Sequence, residues 1–250
     1  MNNIFQMYKR KKLPHFLVLG TQKGGTTSLQ KILELHSHVF LPSCKEVHYF
    51  TLHYEKPASW YSGHYQKAKW FQKRGDITPY YLFHPEAPLR IHSLLPRARL
   101  IVLLRDPVER ALSQVFHARR HGFEKLGVEA ALRAEEARLA RGTLFSHQKH
   151  SYLARSRYLE QLDRFEELFP RRKILILRSE DLFINTETIW LQILKFLNLP
   201  IKPLTMSLPR ANSGKGESGG VKLEIRDRLK NELRTTVEGV KERYGFDWGW

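Results

Sequence analysis

The run Gln22-Lys23-Gly24-Gly25-Thr26-Thr27-Ser28 follows directly on the apolar stretch Phe16-Leu17-Val18-Leu19-Gly20. An apolar run that ends in glycines and then hydroxyl residues predicts a buried strand, a tight loop and a helix N-terminus. Such a junction binds phosphate, because backbone N–H groups and the positive end of the helix dipole converge on one point. The order of residues differs from the ATPase loop G-x-x-x-x-G-K-[ST]. Gly20 and Gly25 keep its spacing, but Thr26 stands at the lysine position and the lysine, Lys23, lies inside the loop. The expected chemistry is a nucleotide phosphate held by N–H groups and hydroxyls, with a cation reaching it from an earlier position.

A strand, a loop and a helix need a sheet to hold them, and the rest of the chain supplies one. Phe16–Gly20 reads as the first strand and Thr26–His36 as the helix that caps its loop. Leu100-Ile101-Val102-Leu103-Leu104 is a continuous apolar run, typical of a strand buried on both faces of a parallel sheet. Pro107 fits the first turn of the next helix, which runs to about Gly122. Lys173–Leu177 is a further buried strand, followed by an acidic turn at Glu180-Asp181. Helices are expected over 57–64, 85–95, 127–141, 152–169, 186–197 and 221–244, with a short extended segment at 47–50 and a long Pro/Gly/Ser/Asn-rich loop over 198–220. Alternating strands and helices imply a three-layer α/β fold, P-loop-like, with a central parallel sheet flanked by helices. Ligands of such sheets bind beyond the carboxyl ends of the strands, where the first loop and Arg105 fall.

The 250 residues suffice for one large domain, read as residues 15–250 behind a basic extension at 1–14. Lysine and arginine number 42 against 25 aspartates and glutamates, a formal charge of +17 that favours anionic partners. Charge alone does not separate nucleotide, acidic glycan, nucleic acid and anionic membrane. Cys44 is the single cysteine, so no disulfide forms within the chain. No apolar stretch matches a signal peptide or a membrane span, and the expectation is a soluble, cytoplasmic protein. Histidines and the lone cysteine show no metal-ligand spacing.

Four segments in order carry a resemblance: Gln22–Leu29, Lys45-Glu46-Val47-His48-Tyr49-Phe50, Asp76-Ile77-Thr78-Pro79-Tyr80-Tyr81, and Arg99–Ser113. Together they resemble the sulfotransferases that use 3′-phosphoadenylyl sulfate (PAPS), especially the heparan-sulfate-type branch and its bacterial relatives. The resemblance implies that Lys23, Gly24, Gly25, Thr26, Thr27 and Ser28 hold the 5′-phosphosulfate. It implies a 3′-phosphate site at Arg105 and Ser113, with Arg110 as the alternative ligand and Asp106 as an ion-pair partner or a cap. Lys215 and Gly216, in a late glycine-rich loop, correspond to the segment that closes over the nucleotide, and Tyr158 to a recurrent tyrosine that helix packing explains equally well. Glu46 aligns with the catalytic base and His48 with a nearby active-site histidine; in phenol-type relatives a histidine is the base, so both stand. On an extended segment the two would share a face.

The resemblance departs from the heparan pattern at Ile77, where that branch has lysine, and at Glu217, where it has a basic residue. PAPS is the expected co-substrate and adenosine 3′,5′-bisphosphate the product, without a metal. The acceptor implied is a sugar, glycan or glycolipid, and nucleic acid is not expected. The competing readings are a P-loop nucleotide kinase, against which the missing G-K-[ST] speaks, and a non-enzymatic binder of acidic glycan or nucleic acid, which leaves Glu46 without a purpose.

Overall fold

Apolar strands alternate with helices along the described chain, which comprises residues 12–204, 208 and 218–250 of a computed structural model. β1 (Phe16–Gly20) passes through the glycine loop into α1 (Thr26–Glu34), and a short β2 (Val39–Phe40) follows. Next come α2 (Ala58–Gly63), β3 (Lys73–Ile77), α3 (Tyr80–Phe83), α4 (Ala87–Leu94) and β4 (Arg99–Leu104). A helical stretch of α5 (Pro107–Arg120), α6 (Val128–Ala140), α7 (Leu144–Lys149) and α8 (Tyr158–Glu166) leads to β5 (Ile174–Arg178). The remaining helices are α9 (Ser179–Ile184), α10 (Thr186–Leu197) and α11 (Leu223–Tyr244).

The five strands form one parallel sheet in the order β2-β3-β1-β4-β5. Period-two alternation sorts its side chains into two cores. Leu17, Leu19, Leu100, Val102 and Leu104 meet Tyr61, Tyr81, Ile91, Leu162 and Phe165 on one face. Phe16, Val18, Ile101 and Leu103 meet Leu29, Ile32, Leu33, Ile189 and Ile193 on the other. Both faces are covered, so β1 and β4 are buried throughout apart from the half-exposed Arg99, and the expected three-layer architecture holds. A third cluster joins α5, α6 and α11 through Leu112, Val115, Leu132, Leu229 and Leu233.

Some local expectations are corrected. Residues 47–50 form no strand, because Glu46 and His48 both take left-handed backbone, with φ of 60° and 56°. Glu180 and Asp181 lie in the first turn of α9, where carboxylates complement the helix dipole, and not in a turn. The segment 152–169 opens with a 3-10 turn at Ala154–Ser156 before α8 begins. β3 escapes hydrophobic periodicity because it carries Lys73, Arg74 and Asp76.

Asp76 is fully buried, and it is satisfied. Its carboxylate accepts from Tyr61 Oη at 2.6 Å, Tyr81 Oη at 2.9 Å and Thr78 Oγ1 at 2.7 Å. Burial nevertheless raises its pKa above the usual carboxylate value, with the three hydroxyls opposing that rise. Beside it, Gly75 lets β3 lie against β1: a Cβ there would come within 2.2 Å of the Phe16 ring and 2.8 Å of Leu41. Gly75→Ala should therefore cost about 1–3 kcal/mol through overpacking. An unchanged denaturation midpoint for this variant would show that the sheet relaxes freely there.

Candidate active site

The β1–α1 loop is built by close backbone approach. Thr21 N donates to Leu103 O on β4 at 2.7 Å, and Gly24 N donates to Thr21 O at 2.9 Å. Ser179 Oγ, at the start of α9, donates to Gly24 O at 2.8 Å. A Cβ on Gly24 would sit 2.6 Å from Thr21 Oγ1 and 2.9 Å from Leu103 O, so the position admits no side chain without movement. Gly25, with φ of 90°, caps α1 in the left-handed region that glycine adopts freely. Lys23 also has left-handed backbone, φ 70°. Thr26 and Thr27 open α1, while Ser28 N and Leu29 N both donate to the carbonyl of the cap residue Gly25 at 3.0 Å.

Cations gather around this loop. Arg105 leaves the carboxyl end of β4 and its Nη1 donates to Lys23 O at 3.1 Å. Tyr158 Oη donates to Arg105 O at 2.7 Å, so the buried tyrosine at the head of α8 steadies the backbone that presents Arg105. Lys45 Nζ donates to Thr27 Oγ1 at 3.0 Å. Burial first, then Arg120, Arg105, Lys45 and Arg110, lower the Lys23 pKa to about 8. His117 on α5 falls to about 4 through burial and the charges of Lys23 and its basic neighbours. Like charges held together at this cost mark a place prepared for an anion.

Arg110 lies behind the loop, with a buried Nη1 that has no hydrogen-bond partner among the described residues. It is fully buried, with Nε donating to Ser156 Oγ at 2.6 Å and Nη2 to Tyr152 O. Asp106 is a helix cap: its Oδ1 accepts from Glu109 N at 2.9 Å, and its Oδ2 from Trp250 Nε1 at 2.6 Å. Ser113 is half-buried two turns into α5, on the same helix as His117 and Arg120. Lys215 and Gly216 lie outside the described residues. The described end of their loop is tied to α5, since Ser218 Oγ donates to Glu109 Oε2 at 3.1 Å and Arg226 pairs with Glu109 at 2.5 Å.

Glu46 and His48 do come together, although no strand places them. Val47 between them is buried, and the left-handed turns on either side bring His48 Nε2 to 3.4 Å from Glu46 Oε2. Thr51 Oγ1 donates to His48 O at 3.3 Å and lies 3.1 Å from His48 Nδ1. With its one proton on the carbonyl, Thr51 accepts from Nδ1–H, which leaves Nε2 facing the carboxylate. Burial would raise the Glu46 pKa; the hydrogen bond and charge of His48, then Lys45 and Arg155, outweigh it and keep the group below the usual range. Glu46 is thus ionised at neutral pH.

Sequence reasoning missed Arg155. It is almost fully buried, with Nε donating to Ser151 Oγ at 2.7 Å, Nη2 to Gln148 O at 2.8 Å, and Nη1 to Gln22 in the phosphate loop. Its guanidinium stacks 4.8 Å from the Tyr80 ring centroid and 5.0 Å from that of Phe83. It therefore links the loop, the Glu46 corner and the aromatic wall of α3. The available signal was a charged residue three positions before Tyr158, inside a segment that contributes Tyr152 and Leu153 to a core. Among the described residues no cluster of histidine, cysteine and carboxylates suits a metal ion.

A sulfotransferase-domain family profile matches residues 13–213. The membrane-associated sulfotransferase kil1 of Dictyostelium discoideum is 41% identical over 105 residues, which is 41% of this chain and 22% of that protein. Mouse heparan sulfate glucosamine 3-O-sulfotransferase 6 is 38% identical over 104 residues, 42% of this chain and 30% of that one. The matched stretches thus span less than a third of these two relatives. A solved sulfotransferase from Alicyclobacillus acidocaldarius superimposes with a TM-score of 0.79 at 21% identity, covering 94% of this chain and 96% of that one. A mouse sulfotransferase solved with PAP superimposes at 0.58 and 12% identity, covering 95% and 87%. The fold is therefore shared with these structures, and the profile match over most of the chain decides membership: the protein belongs to the sulfotransferase family.

Proposed function

We propose that the chain transfers a sulfuryl group from PAPS to a hydroxyl or amine of a carbohydrate acceptor. The observation that carries this reading is the gathering of Lys23, Lys45 and Arg105 around a helix N-terminus, with the Lys23 pKa lowered to about 8. PAPS dependence is general to the family, and PAP is the ligand named for one solved relative. Heparan sulfate in the names of several relatives supports a carbohydrate acceptor.

In this reading Lys23, Thr26, Thr27, Ser28 and the loop N–H groups receive the 5′-phosphosulfate, while Arg105 and Ser113 take the 3′-phosphate, with Lys215 and Gly216 closing from the late loop. Tyr158 acts as a positioning residue through the Arg105 carbonyl. The acceptor O–H or N–H gives its proton to Glu46 as its oxygen or nitrogen bonds to sulfur. The bond from sulfur to the bridging phosphate oxygen breaks, and Lys23 meets the charge left on the departing phosphate. His48 Nε2, 3.4 Å from Glu46, holds that carboxylate ready for the proton. The acceptor side in this reading is the wall of Tyr80, His147, whose Nδ1 lies 2.7 Å from Tyr80 Oη, Lys149 on the same helix α7, and Arg155; Lys149 and Arg155 suit an anionic sugar, and the rings suit a pyranose face.

Titration calorimetry should show adenosine 3′,5′-bisphosphate binding at least about tenfold more tightly than ATP, with no magnesium requirement. Equal affinity, or binding of ATP alone, would favour the kinase reading. A bound dianion favours protonated Lys23 and raises its pKa, so affinity should fall as pH climbs from about 7 to about 9. Lys23→Ala should bind more weakly and lose most of that dependence. In sulfate transfer from radiolabelled PAPS to a panel of glycans, Lys23→Ala and Glu46→Gln should each lose on the order of 10²-fold in rate. Full activity in either variant removes that side chain from the reaction.

A further inference from the structure

At the opposite pole of the sheet, where the strands begin, Lys69–Gln72 forms a tight turn. Gln72 N donates to Lys69 O at 3.1 Å, and Gln72 Oε1 accepts from Lys69 N at 2.9 Å. The Gln72 amide also donates to Ser37 O at 3.1 Å and Val39 O at 3.2 Å, so the turn is pinned to the edge strand β2. The corner residues of this braced turn are Trp70 and Phe71. Trp70 is 92% exposed and Phe71 38%, with their rings edge to face at 5.7 Å. Displaying an indole in water at a braced corner has no folding benefit, because the side chain buries almost nothing.

The surroundings are basic. Lys67 and Lys69 are exposed, and Lys69 Nζ lies 6.0 Å from the Phe71 ring centroid. Lys12 Nζ donates to Gln66 O and Ala68 O at 2.8 and 2.7 Å, and Lys9-Arg10-Lys11 precede it directly in sequence. No carboxylate occurs in sequence between Glu55 and Asp76, and Asp76 is buried. The patch extends through His38, stacked edge-on with Phe71, to Lys202, whose Nζ donates to Ser37 Oγ. Leu35, 59% exposed, and Ile201, 61% exposed, adjoin these residues in sequence, as does Glu34, which accepts from Gln30.

We propose that this face seats the protein peripherally on an anionic lipid bilayer. Trp70 and Phe71 enter the headgroup level, where an indole's apolar body and polar N–H are both accommodated. Lys67, Lys69, Lys12 and Lys202 meet the lipid phosphates. A polyanion in solution would account for the lysines but not for the adjacent exposed rings. No helix of the described residues is long and apolar enough to cross a membrane, so the contact is interfacial. The active site opens at the other end of strands about 17 Å long, and a protein bound this way keeps it directed away from the lipid.

Co-sedimentation with vesicles tests this. The protein should pellet with an equal mixture of phosphatidylcholine and phosphatidylglycerol and stay in solution with phosphatidylcholine alone. Trp70→Ala with Phe71→Ala, and separately Lys67→Glu with Lys69→Glu, should each lower partitioning by about tenfold or more. Calorimetric affinity for adenosine 3′,5′-bisphosphate should be unchanged in both, which keeps this outcome separate from the fate of the sulfotransferase reading and shows that the variants are folded. Failure to partition would overturn the proposal. So would partitioning that survives the aromatic double variant, since net charge alone would then explain it. Loss of a dimer in that variant during ultracentrifugation without vesicles would instead make the face a contact between copies.

Discussion

Positive charge concentrated where it repels itself is the constraint on which this structure turns. Lys23 sits in left-handed backbone at the carboxyl edge of the sheet, with the Arg105 guanidinium bonded to its carbonyl and Lys45, Arg110 and Arg120 contributing like charge. Each cation lowers the cost of placing an anion there and raises the cost of leaving the place empty. The two buried cores are what tolerate it. Strands covered on both faces, with Arg110 bonded to Ser156 and Tyr152, hold the cations in position.

The same economy of partners separates structural from reactive groups. Asp76 consumes the hydroxyl protons of Tyr61, Tyr81 and Thr78 and faces no opening. Glu135 accepts from the backbone of Leu153 and Ala154, and so fixes the segment that carries Arg155. Glu46, in contrast, is paired among the described residues with a histidine at 3.4 Å, and Lys45 and Arg155 add to the charge that keeps it ionised. A carboxylate kept ionised yet loosely engaged can still accept a proton.

The loop and β4 were legible in sequence because each rests on a local rule: glycines where no Cβ fits, and an unbroken apolar run where both sheet faces are buried. The 46–48 corner was read as extended, since left-handed backbone at a glutamate and a histidine has no composition signal; buried Val47 and the surrounding packing impose it. β3 hid behind Lys73, Arg74 and Asp76, whose partners lie far away in sequence. Arg155 was missed for the same reason. Its role appears only when Gln22, Tyr80 and Phe83 converge on it from elements it does not adjoin.

The buried Val47, gripped between two left-handed residues, separates the placing of Glu46 from the side chains around it. It works like a peg that locates the Glu46 carboxylate from below. Tyr80 comes from α3 and His147 and Lys149 from α7, neither of which carries Glu46, so drift at those positions leaves the carboxylate where it stands. A scaffold divided in this way lets its rim vary while its buried corner stays put.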